Sequence, residues 1–273
     1  MRRFGRRIFI STSACALAPG QAQQRDEEAK GLLKKVQETY VATTAYDLDF
    51  QENARFDSYT GYWPNTISGR MACLEPHRFL YQTPLRDPNS GKAPERILCG
   101  DGASVFVFVA SRNREYIREI YSDQGATARR TTGGDEYFKL HMEHVERFRT
   151  VASREQKEPR SLGRQMVKVF GQTVECEVVE TYPADGRGFT VQETLWVEPG
   201  SNRVLRCLRQ GYQADRRNSR RTSKIVDRTY RWRMLGTQIA MDVFQFVPPK
   251  GARLVDRFSP GRPLAVSVPS GHA

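Results

Sequence analysis

From Tyr46 onward the sequence is a succession of short runs in which apolar and polar residues alternate: YDLDFQENARF, NTISGRMACLE, HRFLYQT, ERILCGDG, SVFVFVA and REYIREIY. Such alternation gives each strand one apolar face. The links between runs, such as PLRDPNSGKAP and CGDGAS, are turn-forming and too short for parallel crossovers, so the runs must pair as antiparallel hairpins. A second series follows: QMVKVFG, TVECEVVETY, FTVQETLWVEP, RVLRCLRQGYQ, SKIVDRTYRWRML and MDVFQFVPP. Together they predict an α+β chain built on one large, mostly antiparallel sheet of roughly ten or more strands. No repeat of fixed period is visible.

Two segments depart from this period. Residues 25–43, RDEEAKGLLKKVQETYVAT, place Leu32, Val36 and Tyr40 at spacing four with Leu33 beside them, an apolar stripe on an otherwise charged helix. Residues 135–149 carry Phe138, Met142, Val145 and Phe148 at helical spacing, which predicts a second helix. His141 and His144 lie three apart on it. No cysteine or acid pattern completes a metal shell around them, and they read as surface histidines; no metal and no cofactor is expected.

The run SVFVFVA, residues 104–110, is apolar on both faces, so both need cover. A helix covers one. If the sheet curls without closing, its concave face presents a cavity, and Phe79, Tyr81, Phe106, Phe108, Phe244 and Phe246 are the residues such a cavity would use. From patterning alone they are ordinary core. In DVFQFVPPKGARLV, Phe244 and Phe246 share one face of an expected strand, and Pro248 and Pro249 must end it or hold it at an edge.

The first residues bear on compartment. MRRFGRRIFISTSACALAPGQAQQ has a basic start, a weakly apolar middle and small residues Gly20 and Ala22 before Gln23, the order of an export signal over residues 1–22. Arg6, Arg7, Phe9 and Ile10 resemble the twin-arginine pattern. Export would take four arginines from a chain of formal charge +12. It would leave Cys73, Cys99, Cys176 and Cys207, an even set entering an oxidising compartment. The local pairings are Cys73 with Cys99 and Cys176 with Cys207; buried thiols are the alternative. No two of these cysteines have the spacing of a zinc site. A single domain over residues 23–258 and a loose Pro, Gly and Ser-rich tail over 259–273 complete the expected organisation.

Several function classes find no support. GxSxG, HExxH, a P-loop and a strand-linked GxGxxG are all missing from the sequence, so an enzyme is not expected. Arg216, Arg217, Arg220, Arg221 and Lys224 make a basic cluster near Tyr212, but it reads as a solvated hairpin tip rather than a nucleic-acid site. An anionic membrane surface or an outer-membrane receptor is a better use of that charge.

The order of N-terminal amphipathic helix, YDLDF first strand, LWVEPGSNRVLR hairpin and DVFQFVPPKGARLV ending resembles the LolA-like family of periplasmic lipoprotein carriers and their relatives over residues 26–256. LWVEPGSNRVLR is similar to that family's strand, turn, strand element. Phe244, Phe246, Pro248, Pro249, Gly251 and Ala252 match its FxFxPPxGA ending. The resemblance implies a half-open antiparallel barrel capped by helices, with an apolar cavity for acyl chains or a partner segment. The implied function is a periplasmic, non-catalytic carrier of lipid or lipidated protein. The alternative is an envelope sensor or scaffold whose barrel binds a protein segment. The four cysteines and RRNSRR depart from the carriers' pattern, and the arginine with which carriers hold lid loops shut cannot be mapped onto one arginine here.

Overall fold

The structure is a computed structural model that describes residues 19–58, 61–75, 78–84, 95–110, 114–120, 141–153, 156–183, 190–214 and 221–257. Helix α1 (Pro19–Val41) is followed by β1 (Ala45–Ser58), β2 (Gly61–Leu74), β3 (Arg78–Thr83), β4 (Arg96–Asp101), β5 (Ser104–Val109) and β6 (Glu115–Ile120). A π-helical turn (Met142–Glu146) then runs into the short α2 (Arg147–Arg149). The chain continues through β7 (Gln156–Val169), β8 (Gln172–Pro183), β9 (Thr190–Val197), β10 (Val204–Ala214) and β11 (Arg221–Gly236) to a 3-10 turn (Met241–Phe244) and β12 (Arg253–Leu254).

All the strands form one open sheet in the order β12-β6-β5-β4-β3-β2-β1-β11-β10-β9-β8-β7. Every pairing is antiparallel except β12 with β6. The hairpin expectation holds, LWVEPGSNRVLR included: it is the β9–β10 connection. Its turn places Gly200 and Asn202 at positive φ, where glycine and asparagine are the residues least penalised.

Alternation along β1–β6 sorts the apolar residues onto two faces. Leu48, Phe50, Met71, Cys73, Phe79, Tyr81, Leu98, Val105, Val107 and Ile117 belong to the larger core, on what we call the inner face. Helix α1 joins this core through Ala29, Leu33, Val36 and Tyr40, whose spacing of three and four residues gives one buried stripe. It packs on β7, β8 and α2. Arg149 of α2 fastens the end of α1: its Nε donates to the carbonyl of Tyr40 at 3.1 Å and Nη2 to that of Thr43 at 2.5 Å, while the guanidinium also pairs with Glu75 and Glu146.

The outer face of β2–β5 carries a second core of Ala72, Leu80, Ile97, Cys99 and Phe108, closed by Phe244. Here the structure corrects the reading of the C-terminal stretch. DVFQF is not a sheet strand: Met241–Phe244 is a 3-10 turn followed by an extended strap across the outer face. The strap then makes a turn in which Ala252 N–H donates to the Pro249 carbonyl at 2.8 Å and Gly251 takes φ +78°, the geometry that demands glycine third in a type II turn. Val255 N–H reaches the Tyr116 carbonyl at 3.0 Å, and β12 covers the edge of β6. The double proline thus lies in a strap with no ladder donors to lose.

The cysteines also need correcting. Cys73, Cys99, Cys176 and Cys207 are all buried and none is in a disulfide. Cys73 and Cys99 are separated by β3 and belong to opposite faces; Cys176 and Cys207 are separated by β9. Two strand spacings put such residues about 9.6 Å apart, beyond the ~7 Å that a disulfide spans.

His141 and His144 are not surface residues but buried ones, at 9% and 1% exposure. With Val145 and Phe148 they fall at i, i+3, i+4 and i+7, the side of the segment that is buried. Residues 135–140 of the predicted second helix, residues 1–18 of the expected signal, Arg216–Arg220 and the tail from residue 258 lie outside the described residues.

Candidate ligand-binding face

The inner face has two parts. On β2–β6 it is a wall of aromatic and aliphatic side chains. Register aligns Met71, Tyr81, Leu98, Val107 and Ile117 in one row across five strands, with Cys73, Phe79 and Val105 in the next. Helix α1 packs on the far side of the sheet's sequence of strands, on β7 and β8.

Phe50 of β1 ends the wall. Its register partner on β2 is Gly69, where an added Cβ would come within 2.7 Å of the Phe50 ring and 2.6 Å of the Gln82 carbonyl oxygen. The glycine therefore lets the ring lie flat on the strand. Phe50 stacks on Tyr81 with centroids 6.0 Å apart and touches the His144 ring at 4.7 Å.

Beyond Phe50 the inner face becomes polar. Arg228 Nε donates to Glu52 Oε2 at 2.6 Å, from strands β11 and β1. Arg147 of α2 forms a buried ion pair with Glu193 of β9, whose Oε1 also accepts from the Cys207 thiol at 3.3 Å. Tyr230 lies edge-on to His144, with centroids 5.8 Å apart and an interplanar angle of 88°. Burial, reinforced by the charges of Arg228 and Arg147, holds His144 well below the usual histidine range, so its imidazole is neutral at pH 7. Burial likewise pushes the Tyr230 hydroxyl up. Next to this group His141 Nδ1 and the Tyr46 hydroxyl share a hydrogen bond of 2.8 Å.

The six aromatic candidates do not come together. Phe79 and Tyr81 stand in the inner wall. Phe106, Phe108, Phe244 and Phe246 all belong to the outer-face core, where Phe246 stacks on Phe106 with centroids 4.8 Å apart. The cover that SVFVFVA required on that face is the strap, not a helix. Sequence reading missed Glu52, Glu193, Arg228 and Tyr230. A signal existed: in KIVDRTYRW, Val226, Arg228, Tyr230 and Trp232 alternate onto one face, so the arginine shares the buried side of its strand.

Among the described residues no cluster of His, Cys, Asp and Glu could hold a metal ion, and no helix is long and apolar enough to cross a membrane. The inner face thus joins a buried apolar layer to a polar patch of paired charges.

No family model and no curated protein matches the chain. Among solved structures it is similar to LprF from Mycobacterium bovis, at 11% identity and a TM-score of 0.45, covering 79% of this chain and 96% of that one. It is similar to the MucA/MucB complex of Pseudomonas aeruginosa, at 14% identity and a TM-score of 0.32, over 81% of this chain and 61% of that one. A LolA superfamily protein from Nitrosomonas europaea matches at 13% identity with a TM-score of 0.29, over 80% of this chain and 97% of that one, so that the solved structures to which this chain is similar include LolA-like proteins.

Proposed function

We propose that this chain is a non-catalytic envelope protein that binds acyl chains, free or on a lipidated protein, against the inner face of its open sheet. The observation that carries this reading is the continuous apolar wall of β2–β6, from Met71 and Phe79 to Val107 and Ile117, on the face of the sheet away from the C-terminal strap. Helix α1 packs on β7 and β8, and α2 reaches β9 and β11 through Arg147 and Phe148, all as part of the same inner core. Delivery of lipidated protein to an outer membrane is the finer form of the reading, and it agrees with the export order of residues 1–22.

The direct test is native mass spectrometry of protein purified gently from an envelope-containing host, followed by titration with a fluorescent fatty-acid probe. Retained lipid mass and saturable probe binding are expected. A protein of bare polypeptide mass that fails to bind the probe would remove the reading.

One observation favours a second reading, a sensor or scaffold that engages a protein segment. Among the described residues strand β7 ends the sheet, and it exposes Leu162 and Met166 at 42% and 64%. Edges of this kind accept an added strand. An extended peptide that binds equally well to lipid-loaded and lipid-free protein would favour it.

A further inference from the structure

On the outer face, beside the part that the strap covers, two arginines share one acid. Arg231 and Arg233 of β11 and Asp49 of β1 alternate with the inner-face residues Tyr230, Trp232, Leu48 and Phe50, so they stand on the opposite side of the sheet. Arg231 donates to Asp49 Oδ2 from Nε at 2.9 Å and from Nη2 at 2.6 Å. Arg233 Nε donates to both carboxylate oxygens, at 3.2 and 3.1 Å. Two positive charges thus meet one negative charge. The arginine on the other flank does not alter this balance: Arg70, the register partner of Asp49 on β2, turns its fork to Asp47 at 2.9 and 2.8 Å and also lies in the field of Asp242.

The acid and the cations differ in their access to solvent. The Asp49 side chain is fully buried, while those of Arg231 and Arg233 are 50% and 45% exposed. The Nη1 group of each guanidinium has no hydrogen-bond partner among the described residues, so each keeps donors for a further acceptor.

Exposed arginines ordinarily lose much of a pair's worth to side-chain entropy. Here two contacts hold them. Asp49 is one. The ring of Phe170 is the other, with its centroid 4.9 Å from Cζ of Arg231. Phe170 and Gly171 form the two-residue turn between the paired Val169 and Gln172, at φ +48° and +85°. Such a turn favours asparagine or glycine first, and a phenylalanine there is strained. The aromatic side chain supplies the plane on which the Arg231 guanidinium lies.

We propose that Arg231 and Arg233 form a binding site for a phosphate group, which accepts from both guanidinium groups and supplies the counter-charge that Asp49 alone does not. A tetrahedral oxyanion suits two planar cations, since each can donate to a different oxygen. Fixing the pair beforehand lowers the ordering cost of binding. An open sheet face admits a phosphate carried by a lipid headgroup as well as a free one. The site stands apart from the acyl-binding reading, because neither arginine belongs to the inner face.

The test uses the full chain. Its unfolding midpoint is followed with inorganic phosphate and with acetate at equal ionic strength, and it is sedimented with vesicles of phosphatidylglycerol or of phosphatidylcholine. Phosphate should raise the midpoint more than acetate does. Arg233→Gln should weaken phosphate binding by roughly tenfold, the worth of one hydrogen bond to a charged group. This variant leaves Asp49 paired with Arg231 and should fold. Arg233→Lys keeps the charge without the fork and should recover only part of the loss. Arg164→Gln removes an exposed arginine of β7 and should change binding by less than about twofold. Midpoints without anion separate lost binding from lost folding. Sedimentation with phosphatidylglycerol alone, lowered by Arg233→Gln, would support a lipid headgroup as the source; phosphate binding with no vesicle preference would support a free phosphate. Acetate acting as well as phosphate would overturn the proposal. So would equal losses in Arg164→Gln and Arg233→Gln, full recovery by lysine, or a parent chain that binds neither phosphate nor vesicles.

Discussion

The Cys99 thiol donates a hydrogen bond to the backbone carbonyl of Phe244 across 3.2 Å, joining a sheet strand to the C-terminal strap. This contact sets the strap as a structural clamp on the outer face, not as a ligand wall. Phe244 is fully buried there and Phe246 half-buried. Replacing Phe244 by Ala should therefore cost about 3–5 kcal/mol of unfolding free energy, and Phe246→Ala about half as much. Neither should alter the affinity for an acyl probe. Urea unfolding and probe titration on the two variants check this, and a loss of affinity in a still-folded Phe246→Ala would contradict it.

The four described cysteines should react as thiols. Burial pushes the Cys99 thiol up to about 12 and Cys176 up to about 11, so the reactive thiolate is scarce at neutral pH. Native protein should resist alkylation at Cys73, Cys99, Cys176 and Cys207, and denatured protein should be alkylated at all four without reductant. Peptide mapping that recovers a Cys73–Cys99 or Cys176–Cys207 disulfide would refute the strand separation described above.

The antiparallel sheet was legible because period-two alternation is a strong signal and the links between runs are short. Tyr81, Leu98 and Val107 were each assignable to one side of a strand, yet alternation does not say which side faces inward. That choice is made by what lands on each face, and here the outer cover comes from residues 241–255, distant in sequence from β3–β6. The same limit hid the role of Phe244 and Phe246: FxF reads as a strand, while the 3-10 turn at Met241–Phe244 follows from tertiary packing against Cys99 and Phe108. Cysteine spacing suggested local pairs, although the runs HRFLYQT and FTVQETLWVEP that become β3 and β9 already stood between the paired segments. The buried ion pairs were invisible for a related reason. Glu193 and Arg147 are 46 residues apart, so although Glu193 alternates with the apolar Val191, Leu195 and Val197 on its strand, nothing local names its partner.

Stability should fall as the solution is acidified below about pH 6.5, the range where free histidine titrates. Burial lowers the folded-state pKa of His144, and burial with the charge of Arg149 lowers that of His141. The unfolded chain therefore binds protons that the folded chain refuses, so stability present above about pH 6.5 is lost on going down towards the folded values. The slope approaches about 1.4 kcal/mol per pH unit for each histidine within that window. Unfolding curves for the parent and His144→Gln between pH 7.5 and 5 test it, and the variant should show the shallower dependence. Equal slopes would show that His144 is not a neutral buried group.

Gly69 offers the sharpest probe of how the two parts of the inner face are joined. Its φ is not in the left-handed region, so an alanine there meets no backbone penalty, only crowding. The added Cβ would lie 2.7 Å from Phe50 Cε1 and 2.6 Å from the Gln82 carbonyl oxygen. The first contact is with a side chain that can move; the second is with backbone that cannot move without disturbing β2–β3 pairing. Gly69→Ala should thus cost about 1–3 kcal/mol, the usual range for overpacking, and also displace Phe50 from between Tyr81 and His144. Shortening the ring with Phe50→Leu in the same chain should recover part of the loss but not all of it, since the carbonyl contact remains. A double-mutant cycle reads this as a favourable coupling between the two substitutions. Simple additivity would mean that the Phe50 ring does not depend on the space that glycine leaves, and that the wall and the polar patch are not connected through it.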